Sequence, residues 1–461
     1  MNTILTGRYF NVLLGFHLAS LLAGLLAILL IADILHIRRA PASTLGWLLF
    51  MITLPWLAIP LYLGFGRRKR GVPARRSLLK VEAQTSGCTR GSIDRLMAWE
   101  GIPPARNGNR LAFHKNGEQA LSRLSELLSQ ARTELNISMY LLADDNLGAY
   151  IHRALRDAVQ RGVKVRLLLD GVGSFLLPKR VINNLIRAGI QVAWFTPLIH
   201  RPFHGYNNLR NHRKLVIADR KQAWLGGRNL GDEYFSDSEH WIDLSFELEG
   251  PGIENLLQIF AADWSFATRE TLKISSIADS AGKACVQILP SGPDQPHEPL
   301  QDLLLTSLYQ AQSRITAVSP YYVPDENLQR ALCLAAKRGI SVKLILPLHS
   351  NHRLADYTRT RYLRELVESG VEVRLVTDAM VHAKALVVDN NMGMAGSANL
   401  DLRSLFLNYE LVCVFRSEAE IAALSTWIEG LSQHTQRYSP KPAGRLRDIA
   451  EGVVQLFAFQ L

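Results

Sequence analysis

Apolar residues crowd the first 66 positions of the chain, where they form two long runs. The first run has 22 residues without a charged side chain (11–32), and the second has 27 (40–66). About 20 apolar residues in a helix span the hydrocarbon core of a bilayer, so each run is long enough to cross a membrane. The pattern predicts a two-helix transmembrane hairpin over residues 1–66. The alternatives are two buried core helices, or a secretory signal peptide for the first run.

Beyond residue 110, amphipathic helical patterns alternate with short β-branched runs, which is typical of an α/β fold. Residues 137–170 predict a strand, a helix that ends at a glycine, and a second strand. Residues 315–347 predict the same elements in the same order. Each of these two segments is followed by a further helix and then by a strand that begins just after a glycine. The chain therefore predicts two diverged copies of one α/β domain.

These patterns divide the chain into four segments. The polar stretch 275–285 predicts the boundary between the two copies. We expect a transmembrane hairpin (1–66), a basic linker (67–110), a first α/β lobe (111–275) and a second α/β lobe (276–461).

Charge adds an expected orientation and an expected partner. The formal net charge is +11, and the stretch 67–80 directly after the second apolar run carries seven cations and no acid. Cytoplasmic flanks of membrane helices carry an excess of Lys and Arg. We therefore expect a multi-pass protein of the bacterial inner (cytoplasmic) membrane, with the lobes in the cytoplasm. A basic run beside membrane spans favours binding to an anionic membrane over binding to nucleic acid.

The cysteines fit the same compartment. Cys88, Cys285, Cys333 and Cys413 lie far apart, without the CxxC spacing of metal or redox sites. We expect four reduced cysteines, as is usual in the cytoplasm.

One short motif occurs at matching places in the two copies, as "NHRKLVIAD" (211–219) and "VHAKALVVD" (381–389). Side chains two apart on a strand share a face, so each histidine and its lysine point the same way. Each aspartate lies seven residues from its histidine and should face away, towards a cation or backbone. The candidate catalytic residues of the motif are His212, Lys214, Asp219, His382, Lys384 and Asp389.

An asparagine follows each histidine by 17 residues, at the end of a turn of small residues. Asn229 ends "GGRN" and Asn399 ends "GSAN". Small residues let backbone amides approach an anion closely. Two lysines, two asparagines and the turn amides predict a substrate-binding cage for a phosphate with one negative charge.

Two imidazoles around one phosphate suggest two different catalytic roles. One attacks phosphorus to form a phosphohistidine, and the other protonates the departing oxygen. A carboxylate behind each ring would orient it, and Asp243 and Glu410 are the candidates. The lysines stand where a metal would need ligands, so we expect no metal. The chemistry also needs no cofactor.

The doubled motif with its asparagines resembles the phospholipase D superfamily, and the chain is similar to the bacterial membrane-bound cardiolipin synthases within it. The similarity to the cardiolipin synthases rests on the segments "STLGWLLFMITLPWLAIPLYLGFG", "DGVGS", "PYYVPDENL" and "GSANLDLRSLFLNYEL". The resemblance implies two lobes related by a pseudo-twofold axis, with one active site between them. It also implies that two phosphatidylglycerols are joined into cardiolipin with release of glycerol.

By the same resemblance His212 would be the nucleophile and His382 the general acid. The two turns differ, with Arg228 in one and Ala398 in the other, so the lobes are not equivalent and the choice of nucleophile stays open. A phospholipase D, or a transferase that uses another alcohol, would share these residues. A nuclease suits the two membrane spans badly, and a silent lipid-binding scaffold would not need both histidines.

Overall fold

The computed structural model of the protein describes most of the chain. The chain divides into two compact units, which are treated separately: Met1–Gly71 with Ile199–Asn208, and the remainder from Val72 onwards. The described residues are 2–36, 41–66, 91–197, 208–235, 241–274 and 279–440, with a few single residues after 440.

The N-terminal unit contains three helices, α1 (Asn2–His36), α2 (Pro41–Thr53) and α3 (Pro55–Phe65). Within the described residues, Leu13–His36 is the one helical segment long and apolar enough to span a membrane. The second apolar run is two helices instead of the one that we expected. Pro55 disfavours helical backbone at the residue before it, and Leu54 has a ψ of 60°. A hairpin of two unbroken helices is therefore not confirmed.

The second unit is an α/β structure, and its elements fall within the described residues as follows. The helices are α4 (Ser92–Trp99), α5 (Gly117–Gln130), α6 (Asn146–Gln160), α7 (Lys179–Arg187), α8 (Gly252–Thr268), α9 (Pro299–Gln310), α10 (Glu326–Lys337), α11 (Arg353–Glu368), α12 (Leu402–Phe406) and α13 (Glu418–Ser432). The strands are β1 (Arg106–Phe113), β2 (Glu134–Met139), β3 (Lys164–Leu169), β4 (Gln191–Trp194), β5 (Leu215–Ala218), β6 (Gln222–Gly226), β7 (Trp241–Ile242), β8 (Ser245–Glu249), β9 (Ala284–Ser291), β10 (Arg314–Val318), β11 (Tyr322–Val323), β12 (Ser341–Pro347), β13 (Glu372–Val376), β14 (Met380–Val381), β15 (Ala385–Val388), β16 (Met392–Gly396), β17 (Leu400–Asp401), β18 (Glu410–Phe415) and β19 (Thr435–Arg437).

Fifteen of the described strands form one mixed sheet. On one side the order is β4-β3-β2-β5-β6-β8-β1, and on the other it is β13-β12-β10-β15-β16-β18-β9, with β19 at the far edge. The first three strands of each series are parallel and the rest pair antiparallel. β1 pairs with β9, so the sheet continues from one half to the other. The predicted α/β class is confirmed.

The central strands β5 and β15 carry the apolar part of each motif. All four residues of each strand are buried. A continuous apolar run is expected where both faces of a strand are covered. On β2, by contrast, Leu135, Ile137 and Met139 join the core formed with α5 and α6, while alternate polar residues face the other side.

Part of the expected linker is folded. Residues 67–90 lie outside the described residues, but α4 packs on α9 and buries Met97 completely. β1 begins at Arg106 and lies between β8 and β9. Its sequence, "RNGNRLAF", is too polar to show the strand, because seven of its eight residues are exposed or only partly buried. The folded region therefore begins before residue 111.

The cysteine prediction is wrong at one position. Cys285 is disulfide-bonded, whereas Cys333 and Cys413 are buried free thiols. Sequence spacing cannot show a pairing that the fold brings about between distant positions.

Candidate active site

The two histidine motifs lie at equivalent places in the sheet, just before β5 and β15. His212 and Lys214 are 9% and 1% exposed, and His382 and Lys384 are 4% and 3% exposed. The charge of Lys384 acts on the pKa of His212, and the charge of Lys214 acts on the pKa of His382. The structure therefore gathers both motifs into one buried polar cluster.

The backbone of the second half holds His212. Its N–H donates to the Tyr409 carbonyl (2.9 Å), and the Tyr409 N–H donates to the Arg210 carbonyl (2.8 Å). The next residue is Glu410, and its two carboxylate oxygens each lie 3.0 Å from His212 Nδ1. Ser397 donates its hydroxyl to the same carboxylate at 2.5 Å. Glu410 therefore fixes the orientation of a ring that belongs to the opposite half.

The first half holds His382 in the same way. β14 pairs in parallel with β7, and the His382 N–H donates to the Ile242 carbonyl at 2.7 Å. Asp243 follows, with its Oδ2 2.6 Å from His382 Nδ1. A Cβ added to Gly227 would lie 2.1 Å from Asp243 Oδ1, so glycine makes room for this carboxylate. The two candidate carboxylates thus each contact a histidine, and each does so across the halves.

Burial keeps both imidazoles neutral in the free protein. It lowers the pKa of His212, although the charge of Glu410 opposes the shift. Burial and the nearby Lys384 cation together lower the pKa of His382 to about 3. A neutral ring that donates a hydrogen bond from Nδ1–H to a carboxylate keeps the lone pair of Nε2 available. Either histidine therefore has the form that a nucleophile requires.

The two lysines are buried side by side with carboxylates. Burial lowers the pKa of both, and the charges of Glu410 and Asp243 oppose that shift in each case. Lys214 Nζ donates to the His212 carbonyl (2.8 Å) and lies 5.4 Å from the centre of the Tyr140 ring. Lys384 Nζ donates to the His382 carbonyl and lies within 3.1 Å of both ring nitrogens of that residue. Desolvation makes buried cations costly unless an anion compensates them. A phosphodiester would add to the negative charge that these carboxylates supply.

The pKa of Lys384 gives a testable pH dependence. Burial lowers it to about 8, so the side chain is charged below that pH and loses its charge as the pH rises. We expect kcat/KM, which reports ionisations of the free enzyme, to fall as the pH rises through about 8. Lys384→Arg should remove this limb if it remains active, because guanidinium stays charged. An unchanged alkaline limb in that variant would assign it to another group.

The two predicted asparagines have matching environments. Asn229 Nδ2 donates to the Tyr234 hydroxyl (2.7 Å), and Asn399 Nδ2 donates to Asp401 (2.9 Å). Both side chains are buried, and neither Oδ1 has a hydrogen-bond partner among the described residues. Buried polar atoms are normally bonded, so open positions at two equivalent places indicate a polar ligand.

The two motif aspartates lie away from the histidines, at the opposite ends of β5 and β15. Asp219 accepts the backbone N–H groups of Arg132, Thr133 and Glu134, and Asp389 accepts those of Gln312, Ser313 and Arg314. Both have positive φ values, 52° and 50°. This corrects their grouping with the catalytic residues and agrees with the expectation from their odd spacing. They tie β5 to β2 and β15 to β10.

Asp219→Asn should therefore weaken the fold. Loss of a charge that accepts several N–H groups is expected to lower the free energy of unfolding by about 2 kcal/mol at pH 7. Although burial opposes it, the backbone hydrogen bonds of Thr133 and Arg132 lower the pKa of Asp219. The stabilisation is present above the pKa of the unfolded chain and is lost as the pH falls through the folded pKa. Urea unfolding at pH 7 and pH 3 measures this, with Asp389→Asn as the matched variant. A difference that does not shrink in acid would contradict it.

The structure adds residues that the motif did not predict. The Tyr140 ring centre lies 5.0 Å from that of His212, and Tyr234 and Trp241 lie 5.2 and 5.5 Å from His382. The buried carboxylate of Asp170 accepts the N–H of Asn211, next to His212, at 2.9 Å. Asp170 begins the segment "DGVGS", and that segment was the one sequence signal for these additional residues.

Family comparisons agree with this arrangement. A family model described as "Cardiolipin synthase, PLD-like domain" matches residues 124–264 and 304–432, which is one segment in each half. A second, described as "Phospholipase_D-nuclease N-terminal", matches residues 25–67.

Relatives named as cardiolipin synthases cover most of the chain. Cardiolipin synthase A of Pseudomonas fluorescens is 31% identical, over 97% of this chain and 98% of the relative. The cardiolipin synthase of Geobacillus kaustophilus is 30% identical, over 88% and 87% respectively. Among solved structures, the phosphatidylserine synthase of Haemophilus influenzae covers 80% of this chain and all of its own, with a TM-score of 0.62 and 14% identity. That likeness shows the fold.

Proposed function

The chain belongs to the phospholipase D-like cardiolipin synthases, and on that basis we propose that it joins two phosphatidylglycerols into cardiolipin and releases glycerol. The observation that carries the proposal is the crossed pair of histidines, His212 with Glu410 and His382 with Asp243. Such pairs suit a two-step phosphodiester exchange that needs a nucleophile and a proton donor. The adjacent lysine cations suit a substrate phosphate with one negative charge.

In the first step, we assign the nucleophile to His212. Its Nε2 attacks the phosphorus of the donor, a P–N bond forms, and the bond from phosphorus to the glycerol oxygen breaks. His382 gives its proton to the departing glycerol. Binding of the phosphate anion offsets the lysine charges that lower the pKa of His382, and so favours the protonated ring.

In the second step, a hydroxyl of the second phosphatidylglycerol's glycerol attacks the phosphohistidine. His382 takes the hydroxyl proton, a new P–O bond forms, the P–N bond breaks, and His212 returns to its neutral form. Every atom is accounted for, because one glycerol leaves and two phosphatidyl groups end on the other. Water as acceptor would give phosphatidic acid instead, and another alcohol would give another headgroup.

The repeated strand order of the sheet supports a single shared site. We propose that the lobes, 111–275 and 276–461, are related by a pseudo-twofold axis and that the active site lies between them. Support comes from the repeated strand order and from backbone contacts that cross between the halves at both histidines. The aspartates of the two motifs would then act by anchoring strands.

We further propose a multi-pass protein of the inner membrane with its lobes on the cytoplasmic side. The N-terminal match and helix α1 support membrane association, and the basic stretch after residue 66 supports the orientation. The disulfide at Cys285 is a bond that oxidising compartments favour, so orientation needs a direct test. A cysteine at exposed Lys273 should resist an impermeant maleimide in intact spheroplasts and react after lysis. Labelling without lysis would reverse the assignment.

The function is tested by expressing the full chain in a bacterial host that lacks cardiolipin and measuring its lipids by mass spectrometry. Cardiolipin should appear, and purified protein in phosphatidylglycerol vesicles should release one glycerol for each cardiolipin formed. Phosphatidic acid alone would identify a hydrolase, and a new headgroup would identify another acceptor. No lipid change from membrane-inserted protein would contradict the proposal.

A further inference from the structure

The turn between β3 and α7 exposes large apolar side chains. Phe175 is 60% exposed and Leu176 is 86% exposed, and Val172 nearby is 38% exposed. Single exposed apolar residues are common on protein surfaces, but adjacent large ones on one turn are the kind of feature that marks an interaction site. We call residues 172–176 the apolar turn.

The backbone of the apolar turn is fixed by hydrogen bonds. Asp170 Oδ1 accepts the N–H groups of Val172 (2.8 Å) and Gly173 (3.1 Å). Ser174 donates its hydroxyl to the Tyr140 carbonyl at 3.1 Å. A Cβ on Gly173 would lie 2.1 Å from the same carbonyl, so the turn approaches β2 closely only because of that glycine. The exposed side chains are therefore presented by an ordered structure.

The same contacts connect the apolar turn to the histidine site. The other oxygen of Asp170 accepts the N–H of Asn211, which precedes His212. The Tyr140 ring, beneath the turn, lies edge-on to the His212 ring with 5.0 Å between centres. The apolar turn therefore lies close to the position proposed for the reacting phosphate. A membrane surface bound to the turn would lie close to it as well.

The second half shows that the fold does not require apolar residues here. β12 occupies the place of β3, and the residues that follow it and precede α11 are Leu348, His349, Ser350, Asn351 and His352. The last four are polar and three of them are exposed, whereas Leu348 is half-buried. The nearest exposed apolar side chain is Leu354, 48% exposed in the first turn of α11. The adjacent and more exposed pair at 175–176 has no counterpart on this turn, which favours a role beyond folding.

We propose that Phe175 and Leu176 insert into the acyl-chain region of the bilayer beside the site. This rests on the proposed function, since a phosphatidyl donor has its phosphate at headgroup level and its chains just below. Lys179 and Arg180 follow at the start of α7, and the Arg180 side chain is 80% exposed. Apolar side chains next to cations bind anionic membrane interfaces. The turn would hold the pocket at the depth of the phosphate.

The first test measures insertion directly, in the full chain reconstituted into vesicles of phosphatidylglycerol and phosphatidylethanolamine. Leu176→Cys is labelled with the fluorophore NBD, and His349→Cys is the matched position in the other half. The parent protein, treated with the same fluorophore, gives the background fluorescence from label on its own cysteines. We expect a blue-shifted emission quenched by lipids brominated in the acyl chains at position 176, and neither effect at 349. An unshifted, unquenched label at 176 would overturn the proposal.

The second test separates docking from folding. The double variant Phe175→Ser/Leu176→Ser should lose about tenfold in rate on vesicles, but keep the parent rate on short-chain phosphatidylglycerol dissolved below its micelle concentration. Ile186→Ser, a change at another exposed apolar residue, should match the parent on both. Equal losses on both substrates would mean damage to the site and would refute docking. A parent that makes no cardiolipin would contradict only the proposed function, because the fluorescence needs no turnover.

Discussion

Replacing His212 by alanine is expected to abolish phosphatidyl transfer, with a loss of about 10⁴-fold or more in kcat. Two residues of the cluster combine an available imidazole nitrogen with a carboxylate on the far side of the ring: His212, with Glu410 at 3.0 Å, and His382. Because His382 is needed for the proton, it cannot replace His212 as the nucleophile. The measurement is release of labelled glycerol from phosphatidylglycerol vesicles. Acid-labile label from the phosphatidyl group, retained on the parent protein after quenching, should be absent from the variant.

A matched change shows whether the loss is specific. His434 is exposed at the end of α13, and His434→Ala should keep the parental rate. Thermal unfolding of both variants should resemble that of the parent, because removal of a ring from a ligand-binding cluster leaves the core intact. A rate for His212→Ala within tenfold of the parent would mean that another residue forms the covalent bond.

The second large effect depends on the leaving group. His382→Ala is expected to lose about 10³-fold on phosphatidylglycerol, where the departing glycerol needs a proton. On the nitrophenyl ester of phosphatidic acid, the departing phenolate is stable without that proton, so the variant should still release a rapid burst. His212→Ala should show no burst with either substrate.

This pair of variants also decides the choice of nucleophile, which the matching environments of the two histidines leave open. Both rings are neutral when the site is free, and each has its own carboxylate. If the burst survives in His212→Ala and disappears in His382→Ala, the two roles are exchanged. A burst lost in both variants would mean that neither ring acts only as an acid.

The motif could be read from sequence because its geometry is local. A strand places residues two apart on one face, so each histidine and lysine could be paired without any knowledge of the fold. Asp243 and Glu410 could be proposed as the orienting carboxylates but not assigned to rings. Glu410 is 198 residues from His212, and Asp243 is 139 residues from His382. These pairings depend on isolated bridges and two-residue strands, which leave no periodic pattern.

The other differences have separate physical causes. The hydrophobic pattern of β1 is weak because seven of its eight residues are exposed or only partly buried. The second apolar run is long enough for one helix, but the proline at position 55 interrupts it. The partners of Asp219 and Asp389 are backbone N–H groups, which carry no signal in the side-chain sequence.

The crossed histidine–carboxylate pairs bear on how such a chain arose. A solitary half would hold an imidazole with no carboxylate behind it, and a carboxylate with no imidazole in front. Two copies of that half could form a complete site, because the carboxylate of each copy would contact the imidazole of the other. An ancestor encoded by the unduplicated gene would thus have been active only as a homodimer. Fusion of two such copies would let each change alone, and the turns "GGRN" and "GSAN" differ in this way.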